Sequence, residues 1–399
     1  MQLKTNTNGS QGVKEKKNKS RPKTKKKQAV ACIPGECFTV PKICYSVKRP
    51  WHFYTECREV ATYHNGCLLL GTHFDLPTIP RLSRDISQLC DLNSIEYKRK
   101  FLGANLYSDY ENHNPPTLQE LDDATPCFQY YNKLRSTSSF SLSHLSDEVQ
   151  TILSPRHHIV EMVMSLFDGD EFSMICTTFG SGKILFSLDN TRKKMLPAGS
   201  DNRMKKMAYT GIALERALTH NDTRPYFSIV EGFIKEKDVN LILRCEMDAI
   251  NELKNMYTEL KCYSKLNLHN IHHRRKMLKT WVQISLIPQS DLIIGLRDQG
   301  GILRDLLWYS REKLYADLTN PSLPRNKRYK DFNPNVAVAW FHHCIHAITQ
   351  NLLHCTNDIT PSQSFKVVFY TNHAIKINQL NSVPRYAKTI IQKYSTSSI

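Results

Sequence analysis

The chain has 399 residues, of which 40% are hydrophobic, 23% charged and 10% aromatic, with a formal net charge of +17. This composition excludes collagen, coiled coil and disorder throughout, and no apolar run approaches the ~20 residues that a bilayer requires. No apolar stretch near Met1 suggests a secretory signal, so the 12 cysteines read as free thiols in a reducing compartment.

The charge is uneven along the chain. Residues 1–30 hold ten Lys/Arg against one acid, Glu15, which puts +9 in this tail and leaves +8 for the remainder. A stretch rich in Lys, Asn and Ser cannot bury enough apolar area to order itself, so 1–30 is expected to be a disordered basic tail and 31–399 a single domain. Such a tail raises affinity for a polyanion or serves as a nuclear import signal, with a solvated, dispensable extension as the alternative. The rest of the chain is also basic, which favours a phosphate-bearing partner.

Between 31 and 150, short apolar runs broken by Pro and Asn predict short strands and loops with occasional helices. Cys32, Cys37 and Cys44 are too irregularly spaced for a zinc site. Phe172–Phe179 and Lys183–Leu188, separated by Gly180-Ser-Gly182, predict a β-hairpin. Gly180-Ser-Gly-Lys183 is not a nucleotide-binding loop, because Thr177 stands where its first glycine belongs and Ile184 where Ser or Thr should hold magnesium. Residues 226–230 and 239–245 predict two more strands. Met277, Leu278, Trp281, Val282 and Leu286 recur at helical spacing within 268–287, as do Trp340, Cys344, Ile348 and Leu352 within 336–355. His342, His343 and His346 on the latter read as surface or core residues rather than metal ligands. Strands and helices without regular βαβ alternation point to one α/β or α+β domain.

The chemistry concentrates at Glu246-Met-Asp248 and Glu259-Leu-Lys261. Residues i and i+2 of a strand share a face, so each pair is expected to project together. Three carboxylates and a lysine on one surface suit a hard divalent cation, with Lys261 placed to neutralise charge developing at phosphorus. An acid pair followed by Glu-x-Lys is the layout of PD-(D/E)XK nucleases, although solvated strand residues would share that spacing. Glu252-Leu-Lys254 repeats the pattern but begins only four residues after Asp248, too soon for a returning strand, and is assigned to the connecting loop.

With these residues in place the chain resembles the DXO family of 5′-end decapping exoribonucleases. Its ordered motifs are matched by Arg156, by Gly211-Ile-Ala-Leu-Glu215, by the two acidic pairs, by Trp281-Val-Gln283 and by Gly295-Leu-Arg297. Likeness is greatest to the fungal DXO-type decapping nuclease. Two departures alter the pocket wall: Pro155-Arg156-His157 replaces Trp-Arg-Gly, and Ala213-Leu214 replaces Lys-Phe. The resemblance implies a mixed α+β fold with two β-sheets flanked by helices and the active site in the cleft between them.

It further implies that Glu215, Glu246, Asp248, Glu259 and the backbone oxygen of Leu260 bind Mg²⁺ or Mn²⁺, as two ions. Glu246, Asp248, Glu259 and Lys261 would be catalytic. Arg156, Glu246, Lys261 and Gln283 would contact the substrate, with Arg58 and Glu111 lining the RNA and cap pocket. Trp281 is expected to be packing, and Arg297 either a buried ion-pair partner or a ligand. The implied activity is release of a cap dinucleotide from incompletely capped or unmethylated RNA, nicotinamide-type caps included, followed by 5′–3′ decay. A triphosphate pyrophosphohydrolase and a non-catalytic RNA-binding protein are the alternatives. The partner would be RNA 5′ ends, without membrane or obligate protein partner, and the chain a monomer. The resemblance favours the cytoplasm and the basic tail allows the nucleus.

Overall fold

Leu241, Leu243 and Cys245 alternate with Ile242 and Arg244 along one strand, and all five are buried. A strand buried on both faces belongs inside a sheet that is covered on both sides. The computed structural model has this arrangement. It describes residues 38–395, apart from 72–78, 93–94, 114–119, 121, 137–148, 181, 190–201, 221–224, 325–330 and 354–361. The basic tail therefore lies outside the described residues, as do Cys32 and Cys37.

In chain order the strands are β1 (Glu56–His64), β2 (Cys67–Leu70), β3 (Arg81–Leu82), β4 (Gln150–Pro155), β5 (Phe172–Phe179), β6 (Lys183–Leu188), β7 (Thr219–His220), β8 (Tyr226–Ile234), β9 (Val239–Glu246), β10 (Ala249–Asn251), β11 (Met256–Tyr263), β12 (Ser290–Arg297), β13 (Leu303–Tyr309), β14 (Gln363–Phe369) and β15 (Ile375–Gln379). The helices are α1 (Arg84–Leu92), α2 (Ile95–Arg99), α3 (Thr125–Ser136), α4 (Arg156–Met164), α5 (Asn202–Leu218), α6 (Ile271–Ser285), α7 (Arg311–Leu318), α8 (Pro334–Leu353) and α9 (Arg385–Ser395). A nine-stranded sheet runs β15-β14-β5-β6-β4-β9-β8-β1-β2, and a six-stranded sheet runs β13-β12-β11-β10-β3-β7. Among the described residues no helix is long and apolar enough to cross a membrane.

Three apolar clusters set the layers. The largest packs α4, α6, α7 and α8 with the inner faces of both sheets, through Leu241, Leu243, Trp281, Leu292, Ile294 and Trp340. Ile229, Ile242 and Leu185, on the outer face of the larger sheet, meet Phe128 of α3 and Ile390 of α9. On the outer face of the smaller sheet Leu260 and Ile293 meet Leu214 of α5 and Ile86 of α1. The mixed α+β class, the two sheets and their flanking helices are as expected.

The predicted hairpin is present. β5 and β6 pair antiparallel from Phe179↔Lys183, with Gly180 and Gly182 at φ +55° and +64°, so the lysine-bearing loop joins two strands rather than a strand and a helix. Asn270 caps α6 by accepting from the N–H groups of His272 and His273. His342, His343 and His346 do not converge: His342 Nε2 lies 3.2 Å from the His52 carbonyl and His343 stacks on Trp340.

The decisive feature for function is a change of sheet. Glu246 ends β9 in the larger sheet, Met247 N–H still bonds Tyr226 O of β8 at 3.1 Å, and Ala249 opens β10 in the smaller sheet. Glu246 and Asp248 are thus not an i, i+2 pair within one strand, as the spacing suggested. They flank the crossing between sheets. β10 and β11 then form a hairpin with Asn251↔Met256 in register, which leaves Glu252 and Lys254 in the turn, as assigned.

Candidate active site

Parallel pairing places Pro155 of β4 opposite Arg244 of β9. The next residues on both strands therefore reach the same sheet edge, bringing Arg156, first residue of α4, beside Glu246. On β11, Glu259 and Lys261 share the inner face while Leu260 packs outward with Leu214. The two sheets deliver their polar residues to one place from opposite sides.

The contacts are tight. Lys261 Nζ lies 2.5 Å from Glu259 Oε1 and 3.6 Å from Asp248 Oδ2. Asp248 Oδ2 also accepts from the N–H of Leu260 at 2.8 Å. Arg156 Nη2 donates to Glu259 Oε2 at 3.1 Å and to the Glu246 carbonyl at 3.0 Å, and Nη1 donates to the Gln283 carbonyl at 3.3 Å. Arg156 and Glu259 are both buried, 7% and 4% exposed, so this pair is shielded from water. Arg156 thereby acts on the carboxylates and on the end of α6, which agrees with the pocket-shaping half of what the resemblance implied, holding 5′-end phosphates or shaping the pocket.

The electrostatics divide the carboxylates. Burial pushes the Glu259 carboxyl up, but Arg156 and Lys261 outweigh it and hold it at about 2. Asp248 is raised, by burial and then by Glu259, although Lys261 and the Leu260 N–H act in the opposite direction. Glu246, whose outer atoms reach the rim, is also raised, by the protein crowded around its carboxyl and then by Asp248. Lys261 loses stability through burial, yet Glu259 and Asp248 hold its ammonium above the ordinary lysine range. Two carboxylates short of positive charge, next to a carbonyl-bearing strand, form an all-oxygen donor set that fits a hard divalent cation. Glu246, Asp248 and Glu259 do not all close on one point within 4.8 Å, because Glu259 is turned onto Arg156 and Lys261.

The other expected residues are spread around this centre. Glu215 lies half-buried on α5, next to Leu214 and so beside the outer face of β11. Gln283 is half-buried at the end of α6 and is tied to Arg156 through its backbone. Trp281 is fully buried against Phe53 and Tyr315, a packing residue as expected. Arg297 faces α5, donating to Thr210 Oγ1 at 3.2 Å and the Asp298 carbonyl at 3.0 Å.

Arg58 is not brought to the cluster. It pairs with Glu231 at 2.7 Å, on the face of the larger sheet that Ile229 and Ile242 turn toward α3 and α9. Its neighbour Glu59 points inward instead, accepting from Ser228 Oγ at 2.6 Å and from Tyr257 OH of β11 at 2.5 Å, and so ties the two sheets together. Glu111 is exposed on the 3₁₀ turn Tyr110–Asn112, which leans on α5 through Tyr110 and Tyr209. Sequence reasoning gave Glu59 no role, and only strand alternation beside Arg58 could have pointed to it.

The glycines of two motifs sit in different surroundings. A Cβ at Gly295 would lie 2.8 Å from Leu214, so this glycine permits close packing of α5 on β12. Gly211 differs: a Cβ there would meet nothing within 4 Å, so packing does not account for a helix-weakening residue.

Carboxylates and a lysine gathered where a strand changes sheets define a metal-dependent phosphodiesterase of the PD-(D/E)XK class. A model of the RAI1-like PD-(D/E)XK nucleases matches residues 81–395. The chain is 35% identical over 382 residues to Decapping and exoribonuclease protein 1 of Saccharomyces cerevisiae, covering 90% of this chain and 86% of that one. It is 31% identical to the Kluyveromyces lactis protein of the same name, covering 90% and 91%. The crystal structure of the K. lactis protein in complex with manganese matches with a TM-score of 0.67 at 30% identity, over 84% of this chain and 93% of that one. The chain belongs to the RAI1-like PD-(D/E)XK nuclease family. It is a hydrolase, a decapping nuclease and 5′–3′ exoribonuclease with a divalent-metal site.

Proposed function

We propose that one centre performs both reactions, releasing the cap as a dinucleotide from incompletely capped or unmethylated RNA and then degrading from the 5′ monophosphate. The observation that carries this reading is the Asp248–Glu259–Lys261 contact at the sheet crossing, with Glu246 at its rim. Glu246, Asp248, Glu259 and the Leu260 carbonyl would hold Mg²⁺ or Mn²⁺, as two ions, with Glu215 contributing from α5. Bound there, the metal supplies an activated water and neutralises phosphate oxygens. Lys261 stabilises charge developing at phosphorus. Arg156 keeps Glu259 ionised and oriented, and Gln283 orients the phosphate or its adjacent water. The bare flank at Gly211 leaves room for substrate.

Glu111, exposed on its turn beside α5, and Arg58, paired with Glu231, would line the RNA and cap pocket. Nicotinamide-type caps are included as substrates. The protein is assigned to the cytoplasm as a monomer, to be checked by a fluorescent fusion with and without residues 1–30 and by light scattering. The central test is product chromatography on end-labelled capped RNA in Mg²⁺, in Mn²⁺ and in chelator. A metal-dependent cap dinucleotide supports the reading. Pyrophosphate from triphosphate RNA alone would indicate a pyrophosphohydrolase, and no product a binding protein.

A further inference from the structure

Glu59 lies between the two sheets and takes no part in the proposed chemistry. Its placement begins with a slip in β1, whose pairing with β8 shifts by one residue between Glu59 and Ala61. Cys57, before the slip, packs into the core between the sheets. Ala61 and Tyr63, at the same parity after it, pack outward toward α3 and α9. The strand thus carries a β-bulge, and Glu59 is the last residue turned inward before the faces exchange. Bulges re-aim side chains in this way and are frequent beside active sites.

Turned inward, Glu59 Oε1 accepts from two hydroxyls. Ser228 Oγ, at 2.6 Å, belongs to the same sheet and pairs in register with Cys245, the residue before Glu246. Tyr257 OH, at 2.5 Å, belongs to the other sheet. Tyr257 stands one alternation, about 7 Å, before Glu259 on the same face of β11. Both bond lengths are those of hydroxyls donating to a carboxylate. Burial, then Glu59, hold the Tyr257 phenol well above its ordinary range, so it stays a donor. One oxygen therefore joins the strand pair that ends at Glu246 to the strand that carries Glu259 and Lys261. The chain itself crosses between these sheets at residues 246–249, so the Glu59–Tyr257 bond closes a ring around the crossing.

We propose that Glu59 is a positioning residue for the reaction. Through Tyr257 it fixes the span between Glu246 and the Glu259–Lys261 pair, and with it the geometry in which a divalent cation is held. It does so without touching the cation or the RNA. The inference rests on the reading of Glu246 and Glu259 as parts of one metal centre.

The test exploits the two hydroxyls. Tyr257→Phe and Ser228→Ala each remove one donor from the same oxygen, but the first removes a bond between sheets and the second a bond within one. Both are made in the full chain and compared for kcat and KM on 5′-monophosphate RNA. Mn²⁺ binding is read separately, without RNA, as free Mn²⁺ by electron paramagnetic resonance. Tyr257→Phe should lower kcat and weaken Mn²⁺ binding by ~10–100-fold with KM little changed, whereas Ser228→Ala should keep both. Glu59→Gln, which retains an acceptor oxygen, should keep what Glu59→Met, of similar length without that oxygen, loses. This second pair decides the matter if Tyr257→Phe fails to fold by circular dichroism. Equal kcat and Mn²⁺ affinity within either pair would overturn the proposal, and with Glu259→Gln inactive that result counts against Glu59 alone. Activity retained in Glu259→Gln would overturn the single metal centre and this inference with it.

Discussion

Glu259→Gln removes the charge on which the centre is balanced. The carboxylate is 4% exposed and bridges Arg156 at 3.1 Å and Lys261 at 2.5 Å. Its value of about 2, against about 4.3 for an ordinary glutamate, corresponds to roughly 3 kcal/mol in favour of the ionised form. After substitution Arg156 keeps the Glu246 and Gln283 carbonyls, and the new amide oxygen can still accept one bond. The loss should sit at the lower end of the ~3–5 kcal/mol that breaking a buried pair costs. At roughly 1.2 °C per kcal/mol for a chain of this size, Tm should fall by about 4 °C. Both cap release and 5′–3′ decay should fall by orders of magnitude. Glu252→Gln is the control, since Glu252 is 51% exposed and pairs with Arg81 at the surface, where such pairs contribute about 0–1 kcal/mol. Calorimetry on metal-free protein and both activities at saturating Mn²⁺ provide the measurements. Equal losses of activity in the two variants would refute the assignment of Glu259. Survival of either activity in Glu259→Gln would refute a single centre.

Lys261→Ala should lower kcat by roughly 10²–10³ while changing Mn²⁺ affinity much less, as read from metal titrations of the rate. Gly211→Ala should stabilise α5 by up to about 1 kcal/mol yet raise KM for capped RNA; a stabler protein with unaltered KM would show that the open flank is not used. Deleting residues 1–30 should weaken RNA binding at low salt and flatten its salt dependence, with turnover at saturating RNA retained. Glu259, with a lowered value, contributes stability above about pH 4.3 that is lost as pH falls toward 2. Glu246 and Asp248, with raised values, contribute in the opposite sense: their stabilisation is present at low pH and lost as pH rises through the raised values. Added Mn²⁺ should therefore raise Tm more near neutral pH than near pH 5, as thermal melts would show.

What was legible in the sequence depended on the range of the physics. Glu259 and Lys261 share a face because strand alternation is local, and Glu252 fell to the turn because four residues cannot reverse a strand. The sheet change between Glu246 and Ala249 was not legible, since nothing in Glu-Met-Asp distinguishes a continuing strand from one that leaves its sheet. The face taken by Arg58 depends on its register with Glu231, 173 residues away. The burial of Arg156 against Glu259 depends on a contact across 103 residues.

Charge balance at the centre gives these contacts a common logic. Arg156 and Lys261 supply two positive charges to three carboxylates, and both are spent largely on Glu259. Glu246 and Asp248 are left as the under-neutralised pair, and they are also the residues on the strand crossing, where the cleft opens. On the proposed reading Glu246 and Asp248 would attract the cation most strongly, while Lys261, held beside Glu259 and Asp248, would supply the positive charge that phosphorus requires during reaction.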